Sequence, residues 1–351
     1  MENSLNKKQY PLIDLMKFVM AIVVISIHRS PFTGVHNYII EGMLGGMAVP
    51  FFFIVSSYLF FKKVKNNDNQ SRSILFNYEK RLLKVYIIWF IIYSFGLWIK
   101  NYIGALNMLS LESFLENCVT SLKYFFIDGS YIHLWYMSSL IISVPVVYLF
   151  SRHFGSIKTI SIGIILFFLN FVLIQNSDSI KFFASVPEWI KNVAGTGFLC
   201  VAIGEAMTNQ EYSRINNKKT AVFLALSIIF LSVVGFMTYT FFPQYTNLVD
   251  YVAGLIKFFA AYLIMKLCLN TDMKSSKILV YMRNISILMY FSHKMLMKEL
   301  YVILADFSGV SFFETSTVFQ FFADLLFAIL FATIVLWLSN KKGFKWLKNL
   351  Y

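Results

Sequence analysis

Charge is scarce in this 351-residue chain: Asp, Glu, Lys and Arg together make up 14% of it. A water-soluble domain carries about 25%. The apolar surplus, 58% of all residues, is therefore too large for the core of a soluble globule and has to face lipid. Acidic residues are the scarcer sign, 18 against 31 Lys and Arg, for a net charge of +13. The placement of those basic residues, in short connections between apolar runs, argues against a nucleic-acid partner. Cysteine is nearly absent. Cys118, Cys200 and Cys268 are an odd number without paired spacing, and the last two fall inside apolar runs, so neither a disulfide framework nor a metal site is expected. No cleavable leader is expected either: the run Leu12 to Ile27 is interrupted by Asp14 and Lys17 and has no small-residue cleavage pattern. It reads as a retained first span.

What the chain does have is long apolar runs, with a mean hydropathy of +0.65. Aromatics reach 18%, including 38 Phe, which suits lipid-facing and interfacial surface. A helical span takes about 20 apolar residues. The runs that qualify are 11–29, 43–61, 83–100, 132–150, 157–175, 193–208, 220–242, 248–269, 279–301 and 317–339. An amphipathic stretch near 111–127 is too polar to cross and is expected to lie in the interface. The short connections leave no room for a separate soluble domain. The expectation is an all-α integral membrane protein, a single membrane domain over 1–351 built as a bundle of about ten transmembrane helices. With the N-terminus inside, 21 of the 31 Lys and Arg fall on inner segments and 5 on outer ones. That asymmetry puts both the N-terminus and the C-terminus in the cytoplasm.

Ionisable groups inside lipid cost a few kcal/mol and usually line a cavity or pair with one another. The first span carries Asp14, Lys17 and His28. Eleven residues separate Lys17 from His28, which is three helical turns plus about 20°, so both project from one face about 16 Å apart along the axis. A snorkelling Lys and an interfacial His are the ordinary alternative. Further along, Ser56 and Ser57 sit inside Pro50-Phe51-Phe52-Phe53-Ile54-Val55-Ser56-Ser57-Tyr58, where hydroxyls commonly serve helix packing. Arg81 and Lys84 lie one turn apart at the inner start of the third span, as membrane anchors or as an anion site. The fourth span begins His133-Leu134-Trp135-Tyr136; an aromatic belt accounts for Trp135 and Tyr136 but not for His133. The ninth holds Ser286, Tyr290, Ser292 and His293, followed by Lys294 and Lys298. His36 and His153 fall in loops and read as solvated.

Taken in order, these motifs resemble the membrane acyltransferase-3 family. They are a basic residue eleven positions before a His, with ten residues between (Lys17 to His28), the Pro50–Ser56 run, the Arg81/Lys84 pair, His133-Leu134-Trp135-Tyr136, and Ile285-Ser286-Ile287-Leu288-Met289-Tyr290-Phe291-Ser292-His293. Three positions depart from the family pattern: Lys17 and Lys84 stand where Arg is usual, giving up planar bidentate recognition, and Ser56-Ser57 replaces Ser-Gly. The resemblance implies ten membrane helices in a bacterial plasma membrane. It also implies transfer of an acyl group, usually acetyl, from cytoplasmic acyl-CoA to a hydroxyl of a cell-envelope carbohydrate or other small acceptor. Acyl-CoA is then a co-substrate, and no cofactor is held permanently. Val49-Pro50-Phe51-Phe52-Phe53 and His133-Leu134-Trp135-Tyr136 also resemble the membrane half of vancomycin-resistance serine racemases. The chain ends too soon after its last apolar run for a racemase domain to be expected within it.

On that reading His28 is the expected catalytic base, because an imidazole titrates near neutrality. Arg81 and Lys84, with Lys17, are expected to cradle the phosphates of CoA. Ser56, His133, Trp135, Tyr136, Tyr290 and His293 are the expected substrate-binding residues, with Tyr290 or Ser56 as an oxyanion donor. The rival reading is a non-catalytic permease or binding module for a small polar solute such as serine. The runs show no clear pair of discontinuous helices, which argues against a typical secondary transporter. The partners expected are the bilayer, acyl-CoA and the acceptor, with no nucleic acid, and a homodimer is left open.

Overall fold

The computed structural model describes residues 10–104, 116, 119–120, 134–175, 186–209, 217–295 and 298–351. All regular structure among them is helical. The principal helices are α1 (Pro11–His28), α2 (Ala48–Asn66), α3 (Ser71–Gly104), α4 (Trp135–Phe154), α5 (Ser156–Gln175), α6 (Phe198–Ala206), α7 (Asn217–Phe241), α8 (Gly254–Asn270), α9 (Lys277–Ser292), α10 (Lys298–Ser308) and α11 (Thr317–Ser339). A short helix Gly34–Asn37, a π-helical turn Tyr38–Leu44 and a tight turn Gly45–Met47 lead directly into α2. Another π-helical turn, Val193–Gly197, leads into α6.

Local chemistry sets several of the ends. Pro11 opens α1, where its missing N–H costs nothing. Ser276 caps α9 by accepting from Leu279 N at 3.3 Å, and Ser316 caps α11 by accepting from Phe319 N at 3.2 Å. Gly34 has φ +59, a conformation that side chains with a Cβ resist, and it starts the helix that follows Thr33.

The chain forms two compact units, Met1–Val55 with Glu211–Leu347 and Tyr351, and Ser56–Gln210 with Lys348–Leu350. In the first, α9 packs between α1 and α11, while α7 packs on α8 and on the π-turn Tyr38–Leu44. Met43, Met47, Leu231, Ala253 and Ala260 form its apolar core. The opposite face of α7 leaves Val222, Phe223, Leu226, Ile229 and Phe230 exposed, as lipid contact requires. In the second unit, α6 packs on α4 and α5. The approach is close because Gly197 has no side chain: a Cβ there would run into the hydroxyls of Ser139 and Ser143. Arg152 ties the end of α4 to Asp68 at 2.7 Å.

Among the described residues, six helical segments are long and apolar enough to cross a membrane: Pro11–His28, Gly34–Asn66, Trp135–Phe154, Ser156–Ile174, Asn217–Phe241 and Thr317–Ser339. The protein is thus a multi-pass helical membrane protein. The expected run 317–339 coincides with the last of these. The expected span at 248–269 is instead a bent pair, Pro243–Val252 and Gly254–Asn270, turned by 45°. Buried Lys257 spans the break: it bonds the Asp250 carboxylate and also reaches the Asp250 carbonyl at 3.4 Å. Expected run 83–100 lies within α3, and expected run 193–208 takes in the turn Val193–Gly197 and the short α6; expected run 279–301 is not one continuous helix, because α9 ends at Ser292 and α10 begins at Lys298. The start of 132–150 and nearly all of 111–127 lie outside the described residues.

The Gly197 crossing gives a prediction for the fold. Gly197→Val forces α4 and α6 apart and costs about 1–3 kcal/mol, read as a lower unfolding temperature of the purified protein in detergent. An unchanged transition would mean that the helices do not approach this closely.

Candidate functional site

At the C-terminal end of α1 the chain turns from His28 through Arg29-Ser30-Pro31 into the Gly34–Asn37 helix, leaving an open cavity of about 450 Å³. His28, Arg29, Ser30, Thr33 and Asn37 line it on one side, with Thr317 and Gln320 from the first turn of α11 on the other. The size falls in the range of small-ligand pockets.

His28 is half-buried and stacks on His293, ring centroids 5.1 Å apart and planes 19° apart. His293 follows the last turn of α9 and is 2% exposed. Its Nδ1 lies 2.6 Å from the Tyr290 carbonyl oxygen, an atom that only accepts, so Nδ1 carries the hydrogen. Tyr290 in turn packs on Phe52. The expected residues His28, Tyr290 and His293 are therefore one cluster, reached through the packing of α1 on α9.

Arg29 forms the adjoining wall. Its Nε donates to Asp324 at 2.9 Å, and the guanidinium lies over the Tyr301 ring, 5.4 Å from the centroid. Asp324, on α11, is 1% exposed and also accepts from the Tyr301 hydroxyl. A second buried acid, Glu41, sits in the π-turn and accepts from Ser26 at 2.7 Å and Ser30 at 3.3 Å. The extra residue of such a turn re-aims side chains, and these turns recur at functional sites.

Motif reading did not find Arg29, Glu41, Tyr301 or Asp324. The signal was present for two of them: Glu41 and Asp324 are ionisable residues within apolar stretches. Of the other expected residues, Lys17 is half-buried on α1, near enough to Asp14 to act on its charge. Asp14 also pairs with Arg283 of α9 at 3.7 Å. In the second unit, Ser56 and Tyr136 share a hydrogen bond of 3.0 Å, and Trp135 begins α4 half-buried. Arg81 and Lys84 are exposed on α3. His133 lies outside the described residues. His36 and His153 are exposed.

The fold and this site define a helical multi-pass protein whose ionisable side chains gather around a small-molecule cavity. Residues 10–340 match the family described as an acyltransferase domain, and the chain belongs to that family of membrane acyltransferases. It is also similar to two proteins of Enterococcus faecalis named amino-acid racemase. One is 28% identical over 44% of this chain and 21% of the relative. The other is 25% identical over 46% and 21%. A serine/alanine racemase of Enterococcus gallinarum is 26% identical over 62% of this chain and 32% of the relative. The chain thus spans about a fifth to a third of the length of these relatives. No solved structure matches it.

The Arg29–Asp324 contact predicts a measurable coupling. Asp324→Asn and Arg29→Gln each destabilise, because each leaves a charge in a poorly solvated place. The double variant should cost less than the sum of the two by about 1–3 kcal/mol. Additive losses in a double-mutant cycle on detergent-solubilised protein would show that the pair does not couple.

Proposed function

We propose that this chain is a plasma-membrane O-acyltransferase that moves an acyl group, acetyl foremost, from cytoplasmic acyl-CoA to a hydroxyl of a cell-envelope sugar or similar small acceptor. The observation that carries this reading is His28 on the wall of a cavity, in a chain whose residues 10–340 match an acyltransferase domain. His28 acts as general base. One imidazole nitrogen takes the hydroxyl proton as the acceptor oxygen bonds to the thioester carbonyl carbon; the C–S bond then breaks and the thiol leaves with a proton. The tetrahedral oxyanion needs donors, and the Tyr290 hydroxyl is a candidate from the same cluster.

The seven crossings of the bent-pair count, joined by α3, α6 and α9, make up the ten-span arrangement we favour, with both ends in the cytoplasm. In that orientation the His28 cavity opens outward and Lys17 lies toward the inner leaflet. Arg81 and Lys84, exposed near the inner start of their span, are then free to meet the phosphates of CoA. Ser56, Trp135 and Tyr136 of the second unit, and His133 outside the described residues, are proposed as substrate-binding residues on their motifs alone.

A second reading is a permease or binding module for a small polar solute such as serine. It is favoured by the racemase names of the relatives and by the bent pair around buried Lys257, since broken helices commonly hold solutes in transporters. Acetyl-CoA separates the two, because a permease ignores it.

Radiolabelled acetyl-CoA with the purified protein and candidate envelope glycans tests the first reading. His28→Ala should lower transfer by about 10²–10⁴-fold, the range for a lost general base, while acetyl-CoA binding persists. Transfer at the wild-type rate in that variant would remove His28 from the mechanism.

A further inference from the structure

Arg29 is held in an unusual way for a cavity-lining cation. Asp324 takes its Nε, and the Tyr301 ring supports its face. Among the described residues no hydrogen bond engages Nη1 or Nη2, and the side chain is 25% exposed at the cavity. Its two remaining donors form the fork that matches a carboxylate or phosphate in a bidentate manner.

The surrounding charges point the same way. No Asp or Glu is among the lining residues. Asp324 is nearly sealed behind Arg29 and shared with Tyr301, while Glu41 is capped by two serine hydroxyls. Lys294, next to His293, is close enough to act electrostatically on His28, Arg29 and Asp324. Arg29 and Lys294 lie near Asp324, and Glu41, held by Ser26 and Ser30, is a second acid close by; neither acid lines the cavity, whereas Arg29 presents its unengaged Nη1 and Nη2 to it. Gln320 spends its amide N–H groups on the carbonyls of Phe313 (3.2 Å) and Glu314 (2.6 Å), so Arg29 is the principal charged donor on the wall.

We infer that the cavity binds its acceptor through an anionic group, a carboxylate or phosphate seated on the Arg29 fork, which leaves a neighbouring hydroxyl of the same molecule beside His28. This rests on the acceptor occupying the His28 cavity, as proposed above, and it narrows the acceptor class: neutral sugars and polyols should bind weakly. Arg29 would be a substrate-binding residue, with Asp324 and Tyr301 as positioning residues that keep the fork turned toward the cavity.

The test uses the full-length protein in lipid nanodiscs with no acyl donor, titrated calorimetrically with lactate, glycerol 3-phosphate and glycerol. At least one of the two anions should bind about tenfold or more tightly than glycerol, the range for hydrogen bonds to a charged group. Which anion prevails tells carboxylate from phosphate. Arg29→Lys, which keeps the charge but loses the fork, should weaken that binding several-fold. Arg29→Gln combined with Asp324→Asn, which leaves no lone charge behind, should abolish the preference for the anion. His28→Ala should retain it, so a failure of acyl transfer and a failure of anion binding are read separately. Equal binding of all three probes by the intact protein, or an anion preference that survives in the double variant, would overturn the inference.

Discussion

A carboxylate buried in an apolar helix must find a cation or lose its charge, and around Asp324 this requirement organises one end of the first unit. Placing an acid near the middle of a membrane helix costs about 2.5–3.5 kcal/mol on insertion scales. Here Arg29 and Tyr301 meet that cost together, which draws the end of α1, the start of α10 and the first half of α11 to one point. Once Arg29 is fixed, the residue before it, His28, faces the same cavity. The stack of His28 on His293 then depends on α1 lying along α9, as the Asp14–Arg283 pair toward the other end of the two helices also favours. Two ion pairs, one near each end of α1, thus bracket a helix that also donates from Ser26 to Glu41 and packs its apolar side chains between them.

Much of this was legible in the amino-acid sequence because lipid imposes length and polarity so strictly. The last span could be read to the residue and the first to within one, since apolar runs of that length have few alternatives, whereas the second, expected at 43–61, runs from Gly34 to Asn66 because the π-helical turn before it continues the helix. The clustering of His28, Tyr290 and His293 was foreshadowed only as separate motifs; their meeting depends on which helices pack, and periodicity does not encode that. The bent pair escaped notice because Lys257 and Asp250 look like isolated polar residues until the break brings them together. Arg29 stands at the very end of the first apolar run and belongs to none of the motifs. Its importance lies in a partner 295 positions away, beyond any local pattern. Asp324 and Glu41 are different: both were visible as acids in apolar surroundings and passed over because no familiar motif contains them.

Membership of the acyltransferase family and similarity to racemases are compatible at the level of the site. A cavity with an imidazole beside a cation can bind a small hydroxyl-bearing anion whether the hydroxyl is then acylated or the molecule is merely passed on. What separates the outcomes is whether an activated acyl group reaches His28, which is a matter of donor access and not of acceptor recognition. If Lys17 and Lys84 meet the donor as proposed, their departures from the family's usual Arg bear on that side, where a point charge replaces a planar fork.

The account depends on the cavity beside His28 being filled with water and open to the outer face of the membrane. Substituted-cysteine labelling reads this directly. Ser30→Cys and Thr33→Cys, in a background where Cys118, Cys200 and Cys268 are replaced by Ala, are exposed to a membrane-impermeant maleimide on intact cells. The account predicts rapid labelling of both positions, slowed by an anion that occupies the cavity. Labelling that appears only after the membrane is breached would contradict it.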